Sequence, residues 1–415
     1  MKNKLFSTLS LFLLAGLVDG WAQEAPIKNI TWEKGSPMKY FLKFHVQGVL
    51  GDKLICAAGT QVPGCGIDNS TDRVWLFDPK TGTYEDLPPV PETLGRPEGI
   101  VVGEDLYVLG GVLCPDKAPK GSGTYNRRMW RLSRRSGSWK WEKMPTLPHF
   151  RLVPAITRVD KTIILAGGRG VFNPEEPSLE IQKARHPSVE LNSVIAFDTD
   201  KPEKGWYDLP PIPRMARVSP TIASIGRKVY VFGGSYWKTW QNQDRYPNLE
   251  MAFCGDAYVL DLDKVVWRQI PDLPFPEWGM TAVAYGKHSI LLIGGERNGR
   301  FEHPYQYADK WRGKPGSPNS EVLIYDTQLE NYRVLPDALP LVTITDELRD
   351  EIEQVQAQIP PFNPFASYDY SRGIRRQSTR VSLIGDRLYL LGNVMGVGER
   401  TVHGTNELLV GTIQK

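Results

Sequence analysis

One run in the second half of the chain, Glu296 to Trp311, packs carboxylates, guanidinium groups, a histidine and aromatic rings into a single stretch. Aromatic faces beside acids and bases suit a sugar: the ring face stacks, the hydroxyls hydrogen-bond, and an acid or base stands near the anomeric centre. Glu296, Arg300, His303, Tyr305 and Tyr307 are the candidates there. Further cations recur at wide spacing. Arg151, Arg217, Trp278 and Arg376 each stand 16 residues before the first glycine position of a following apolar run, and Arg96 stands near the corresponding place of an earlier one. Four guanidinium groups around one mouth would hold a carboxylate, sulfate or phosphate by paired hydrogen bonds. The alternative is that such arginines tie neighbouring loops together. His149, His186, His303 and His403, with Tyr305 and Tyr307, offer a second chemistry. Beside an arginine-neutralised uronate they could remove the adjacent proton, as a polysaccharide lyase does. Their spacing lacks a tight ligand pair of the HxxxH kind, so neither a metal nor another cofactor is expected.

The elements that must position these residues are short apolar runs stopped by glycine. Lys228-Val-Tyr-Val-Phe-Gly-Gly234 has near-copies ending at Gly59, Gly111, Gly168, Gly295 and Gly392. Such runs suit buried strands, and glycine at their ends permits positive φ or close backbone approach. After each copy and a variable loop comes a second apolar strand, commonly ending in Asp (Asp78, Asp198, Asp261, Asp326). An aromatic and a Leu-Pro or its relative follow, as at Trp206 to Pro210 and Trp267 to Pro271. Four strands per unit, repeated over several tens of residues, predict a β-propeller. The Gly-Gly, Asp and Trp marks resemble kelch repeats. The expectation is an all-β, six-bladed kelch propeller occupying residues 23–415 as one domain.

Ile30-Thr31-Trp32-Glu33 matches the aromatic strand of a unit whose other strands are missing, and the last unit lacks that strand. Thr31 to Glu33 are therefore expected to close the sixth blade and protect its edge. The interval from Gly295 to Gly392 is the longest, and the excess lies at 341–375. There Thr345 starts a short amphipathic helix through Leu348, Ile352, Val355 and Ile359, ended by Pro360-Pro361. This insertion between blades five and six is read as a lid or as a stabilising flap. Residues 1–22 read as a signal peptide, with Lys2 and Lys4 before the apolar run Leu5 to Val18. That run falls short of the roughly 20 residues of a bilayer span. A periplasmic or secreted protein without stable membrane insertion follows. Its four cysteines permit disulfides, and Cys65 with Cys114 is the favoured pair. The net charge of +3 gives no reason to expect nucleic acid.

Exported bacterial kelch propellers of about this length include the N-acetylneuraminate mutarotases, and Gly295-Glu296 with Arg297 or Arg300 is similar to their Glu and nearby Arg. The resemblance implies a cofactor-free isomerase acting on an acidic mono- or oligosaccharide. Glu296 would transfer protons during ring opening, while Arg300 and the ring arginines grip the carboxylate. A uronate lyase and a binding propeller without catalysis are the rival readings, because propellers host unrelated functions.

Overall fold

The computed structural model describes residues 25–40, 42–61, 70–114, 124–135, 137–170, 189–237, 251–296, 320–336, 338–342, 376–377, 379–391, 394–397, 400–404 and 406–415. Residues 1–22, expected from the sequence to be a leader, and Cys65, His186, Arg300, His303, Tyr305, Tyr307 and most of the 341–375 insertion lie outside them. The described residues are almost entirely strand and loop, with one short 3-10 turn at Pro202–Lys204.

Each glycine-ended run is the second strand of a four-stranded antiparallel sheet, and the described residues form six such sheets. The fourth, for example, orders Thr221–Ile225, Lys228–Phe232, Ala257–Asp261 and Val266–Ile270. The sixth contains Arg380–Ile384, Arg387–Leu391 and Leu408–Gln414, and its outer strand is Asn29–Lys34, which pairs with Leu408–Gln414 so that Trp32 faces Gly411. The first strands lie side by side in chain order. Arg380–Ile384 is next to both Trp278–Tyr285 and Val46–Leu50. All of this fits a β-propeller.

Alternation along the second and third strands sends apolar side chains to both faces, so each sheet is cemented to two neighbours. Ile55 packs with Val101 and Leu106, Tyr107 with Ile163, and Ile164 with Val231. Phe232 packs with Leu292, Ile293 with Leu388, and Leu54 with Tyr389. Burying each such side chain stabilises by about 1.5–3 kcal/mol.

The repeated aromatic of the outer strand has a polar task as well. Trp141 Nε1 donates to Pro88 O (2.9 Å), Trp206 to Pro145 O (3.3 Å) and Trp267 to Pro210 O (2.7 Å). Tyr332 Oη donates to Pro271 O (2.9 Å) and Tyr84 Oη to Pro37 O (3.0 Å), while Trp32 Nε1 donates to Ala338 O. Every bond runs from one sheet's outer strand to the link leaving the sheet before it. The Leu-Pro signal therefore marks an acceptor for the next unit's aromatic.

The glycine pair is required by the backbone. Gly167 and Gly168 have φ of 65° and 96°, and a Cβ on Gly168 would come within 3.0 Å of Leu152 O.

Candidate functional site

The segments after the glycine pairs gather at one end. Short pairings join them to the approach of each first strand: Leu42–Lys43 with Thr60–Gln61, Leu94–Gly95 with Val112–Leu113, and Arg376–Gln377 with Val394–Val397. Bridges from Leu152 to Arg169 and from Val218 to Ser235 do the same. Glu296 ends an extended strand at this end, where it is the register partner of Trp278, and His403 lies in the strand Arg400–Gly404. His149 is exposed in the link to the third sheet.

Pairing across the first hairpin of each sheet fixes equivalent positions. Glu98, Ala155, Thr221, Thr281 and Arg380 each face the last residue before a glycine, and Val46 faces Ala57, which precedes Ala58-Gly59; these six positions form a rim. Four residues earlier stand Leu42, Leu94, Arg151, Arg217, Glu277 and Arg376. Trp278, expected at the arginine's place from its distance to Gly294, is therefore offset by one. The cause is the wider first turn of the fifth sheet, where Tyr285 pairs with Ser289, against Ile225 with Lys228 in the fourth. Backbone bonds agree with this alignment. Gly168 N donates to Arg217 O and Gly234 N to Glu277 O, both at 2.9 Å, and Gly59 N to Leu94 O at 3.2 Å. Glu277 is 1% exposed, a buried carboxylate where three other sheets carry a guanidinium.

The three arginines of this outer ring point their donors into the protein. Arg151 Nη1 donates to Gly167 O (2.8 Å) and Ser193 O (3.0 Å), and Nη2 to Ser193 Oγ (2.7 Å). Arg217 grips Asp256 with both Nη atoms at 2.9 Å and also reaches Gly233 O; Tyr258 Oη completes the carboxylate's shell at 2.7 Å. Arg376 donates to Pro340 O (2.6 Å) and pairs with Glu407 at 2.7 Å. All three are at most 1% exposed. In each, one partner immediately precedes the third strand; Arg151 and Arg217 thereby tie the glycine turn to that strand, and Arg376 ties it to the link at Pro340. Burial lowers the proton affinity of Arg151 to about 10, whereas Arg217, also buried, is driven upward by Cys254, Asp256 and Tyr258 around it.

Two residues before Val46, Glu98, Ala155, Thr221 and Thr281 lies an inner ring in the left-handed region: Phe44 (φ 51°), Arg96 (51°), Val153 (46°), Ser219 (47°) and Gly279 (69°). Arg96 is thus not equivalent to the other three arginines. Its guanidinium lies over the Phe44 ring, 4.4 Å from the centroid, and it is half-buried. Burial, then the charge of Arg169, pushes its pKa below the usual arginine value.

The rim itself carries residues that sequence reasoning missed. Thr221 Oγ1 donates to Met280 O (3.2 Å), Thr281 Oγ1 to Thr379 O, and Arg380 Nε to His45 O (3.1 Å). Each bond joins a rim residue to the residue before the next rim position. Arg380 then extends across the first sheet to Glu98 Oε2 at 2.9 Å. Glu98 is 5% exposed, and burial raises its pKa against the pull of Arg380. His45 is fully buried, with Nε2 3.3 Å from Gln47 Oε1; burial and the Arg380 charge push its pKa down to about 3. The available signal was the presence of charged residues at the start of otherwise apolar strands. Cys56 and Cys254 are buried thiols, both with pKa raised by burial, and Cys114 is buried beside Val112 O. Among the described residues, no group of three or more His, Cys, Asp and Glu is arranged to hold a metal ion.

Comparison with known proteins gives two family matches: a protein of unknown function (DUF1668) at residues 31–172 and a kelch motif at residues 216–274. The Kelch-like protein terF of Aspergillus terreus is 24% identical over 297 residues, 69% of this chain and 58% of that protein. The chain thus spans little more than half of this relative's length. Kelch domain-containing protein 1 of Mus musculus is 29% identical over 295 residues, 55% of this chain and 68% of its own; the Homo sapiens protein of the same name is 22% identical over 292 residues, with the same coverage. The likeness to N-acetylneuraminate mutarotases gains no support from these relatives. The repeated glycine-ended strands, their cross-sheet aromatics and the matched motif together support a kelch-repeat reading of the chain.

Proposed function

We propose that the six sheets close into a six-bladed propeller through Asn29–Lys34, and that its loop end binds an acidic carbohydrate without transforming it. The observation that carries the non-catalytic part is the internal pairing of the mouth. Arg151, Arg217 and Arg376 are buried on protein acceptors, Glu98 is held by Arg380, and His45 is sealed in its neutral form. A general acid or base must reach the proton it moves, and none of these groups is placed to do so. Long loops on a rigid scaffold supply the binding surface. Export through the leader at 1–22 would present this surface outside the cytoplasm.

Hydrogen exchange on the intact chain tests the assignment of the end. With N-acetylneuraminate or galacturonate, protection is expected in Leu42–Lys43, Leu94–Gly95 and Val112–Leu113. The opposite turns at Gly51, Gly103 and Gly226 should be unchanged. Protection confined to those opposite turns would reject it.

The acidic-sugar mutarotase is the second reading. Its favouring observation is the backbone register pairing of Trp278 with Glu296 on an extended hairpin. In that reading Glu296 and Arg300 act on the ring, and enzymatic anomer exchange separates it from simple binding.

A further inference from the structure

Resting on the reading that the loop end binds acidic carbohydrate, we infer that Arg96, seated over Phe44, anchors the ligand's carboxylate on the inner ring, with Val153 and Ser219 forming the uncharged wall beside it. The ring arginines expected to share this task are engaged elsewhere: Arg151 with Gly167 and Ser193, Arg217 with Asp256, Arg376 with Pro340 and Glu407. Arg380 is occupied by His45 O and Glu98. Among the described residues Arg96 differs from them in having neither a carboxylate nor a carbonyl acceptor; its guanidinium lies against the Phe44 face.

That contact leaves the anchor usable. A guanidinium stacked on an aromatic ring gives up its face and keeps the in-plane N–H groups, the fork that matches a carboxylate. Phe44 also fixes the plane, so less rotamer freedom is lost on binding. The left-handed backbone at Phe44, Arg96, Val153, Ser219 and Gly279 gives these five residues equivalent places in their sheets, two residues before the rim. Arg96 is the charged member of that set. The Arg169 charge felt at Arg96 adds positive potential where an anion would sit. Val153 and Ser219 are half-buried and so reachable, one apolar and one hydroxylic, as a sugar body needs.

Saturation-transfer NMR on the intact chain, titrated with N-acetylneuraminate and with its methyl ester, tests the anchor. The acid should bind, while esterification and Arg96→Gln should each weaken binding about tenfold. Phe44→Leu should weaken it less, and Lys264→Gln at the opposite end should change nothing. Equal binding of acid by the wild type and Arg96→Gln overturns the anchor yet leaves a binding loop end standing. Equal binding of acid and ester, or binding of inorganic phosphate at Arg96 with no sugar acid, also overturns it. If neither acid nor phosphate binds the wild type, the anchor and the functional reading fall together.

Discussion

Arg380 and Glu98, 282 residues apart in sequence, meet at 2.9 Å across the first strand of the intervening sheet. The pair joins the sheet that contains both chain ends to the second sheet. Breaking one side of a buried pair leaves the other charge uncompensated, whereas neutralising both does not. Arg380→Met should therefore destabilise by about 3 kcal/mol, and Glu98→Gln by much less. The double variant should recover most of the loss. Urea unfolding midpoints of the four proteins measure this cycle; additive losses would mean that the two residues do not interact.

His45 sets a pH dependence. Its folded pKa of about 3 lies below the ordinary 6.5, so the unfolded chain binds the proton more readily. The contribution of neutral His45 is complete above pH 6.5 and is lost as pH falls toward 3, at about 1.4 kcal/mol per pH unit. Glu98, with its raised pKa, works the other way, since its ionisation weakens the fold as pH rises above 4.5. Unfolding midpoints between pH 4 and 7 should fall with acidity in the wild type and be markedly flatter in His45→Gln. Parallel curves would remove His45 as the cause.

Tyr325 lies among Tyr230, Phe232 and Tyr332, fully buried, and its hydroxyl has no hydrogen-bond partner among the described residues. An unsatisfied buried hydroxyl costs about 1–3 kcal/mol. Tyr325→Phe should therefore raise stability by about 1 kcal/mol, seen as a higher thermal midpoint. A lower midpoint would show that the hydroxyl is satisfied.

Trp32 and Gly411 provide a test of the outer-strand pairing. A Cβ on Gly411 would meet the Trp32 ring at 2.9 Å. Gly411→Ala should cost about 1–3 kcal/mol by overpacking, and the smaller ring of Trp32→Phe should relieve part of it despite losing the bond to Ala338 O. Strictly additive losses would place Trp32 away from Gly411.

The glycine-ended runs, the Asp-ended strands and the outer aromatics were legible because they recur in the same order along the chain and perform the same packing task in the sheets that carry them. Thr31 to Glu33 could be matched to that pattern for the same reason. Direction and small register changes were not legible. The extra residue in the turn between Tyr285 and Ser289 moves Glu277, rather than Trp278, into the arginine's place. Spacing also could not show that Arg151, Arg217 and Arg376 turn toward carbonyls and carboxylates brought in from distant sequence. Arg96 differs from them through a left-handed residue just before Pro97, a backbone feature that its residue type does not announce.

The central claim, binding of an acidic sugar without chemistry, is tested most directly by proton NMR of freshly dissolved, anomerically pure N-acetylneuraminate with the purified chain. The account predicts saturation transfer from protein to sugar while the anomers exchange at the rate seen in buffer alone. Accelerated exchange that Glu296→Gln abolishes would contradict it and establish the mutarotase.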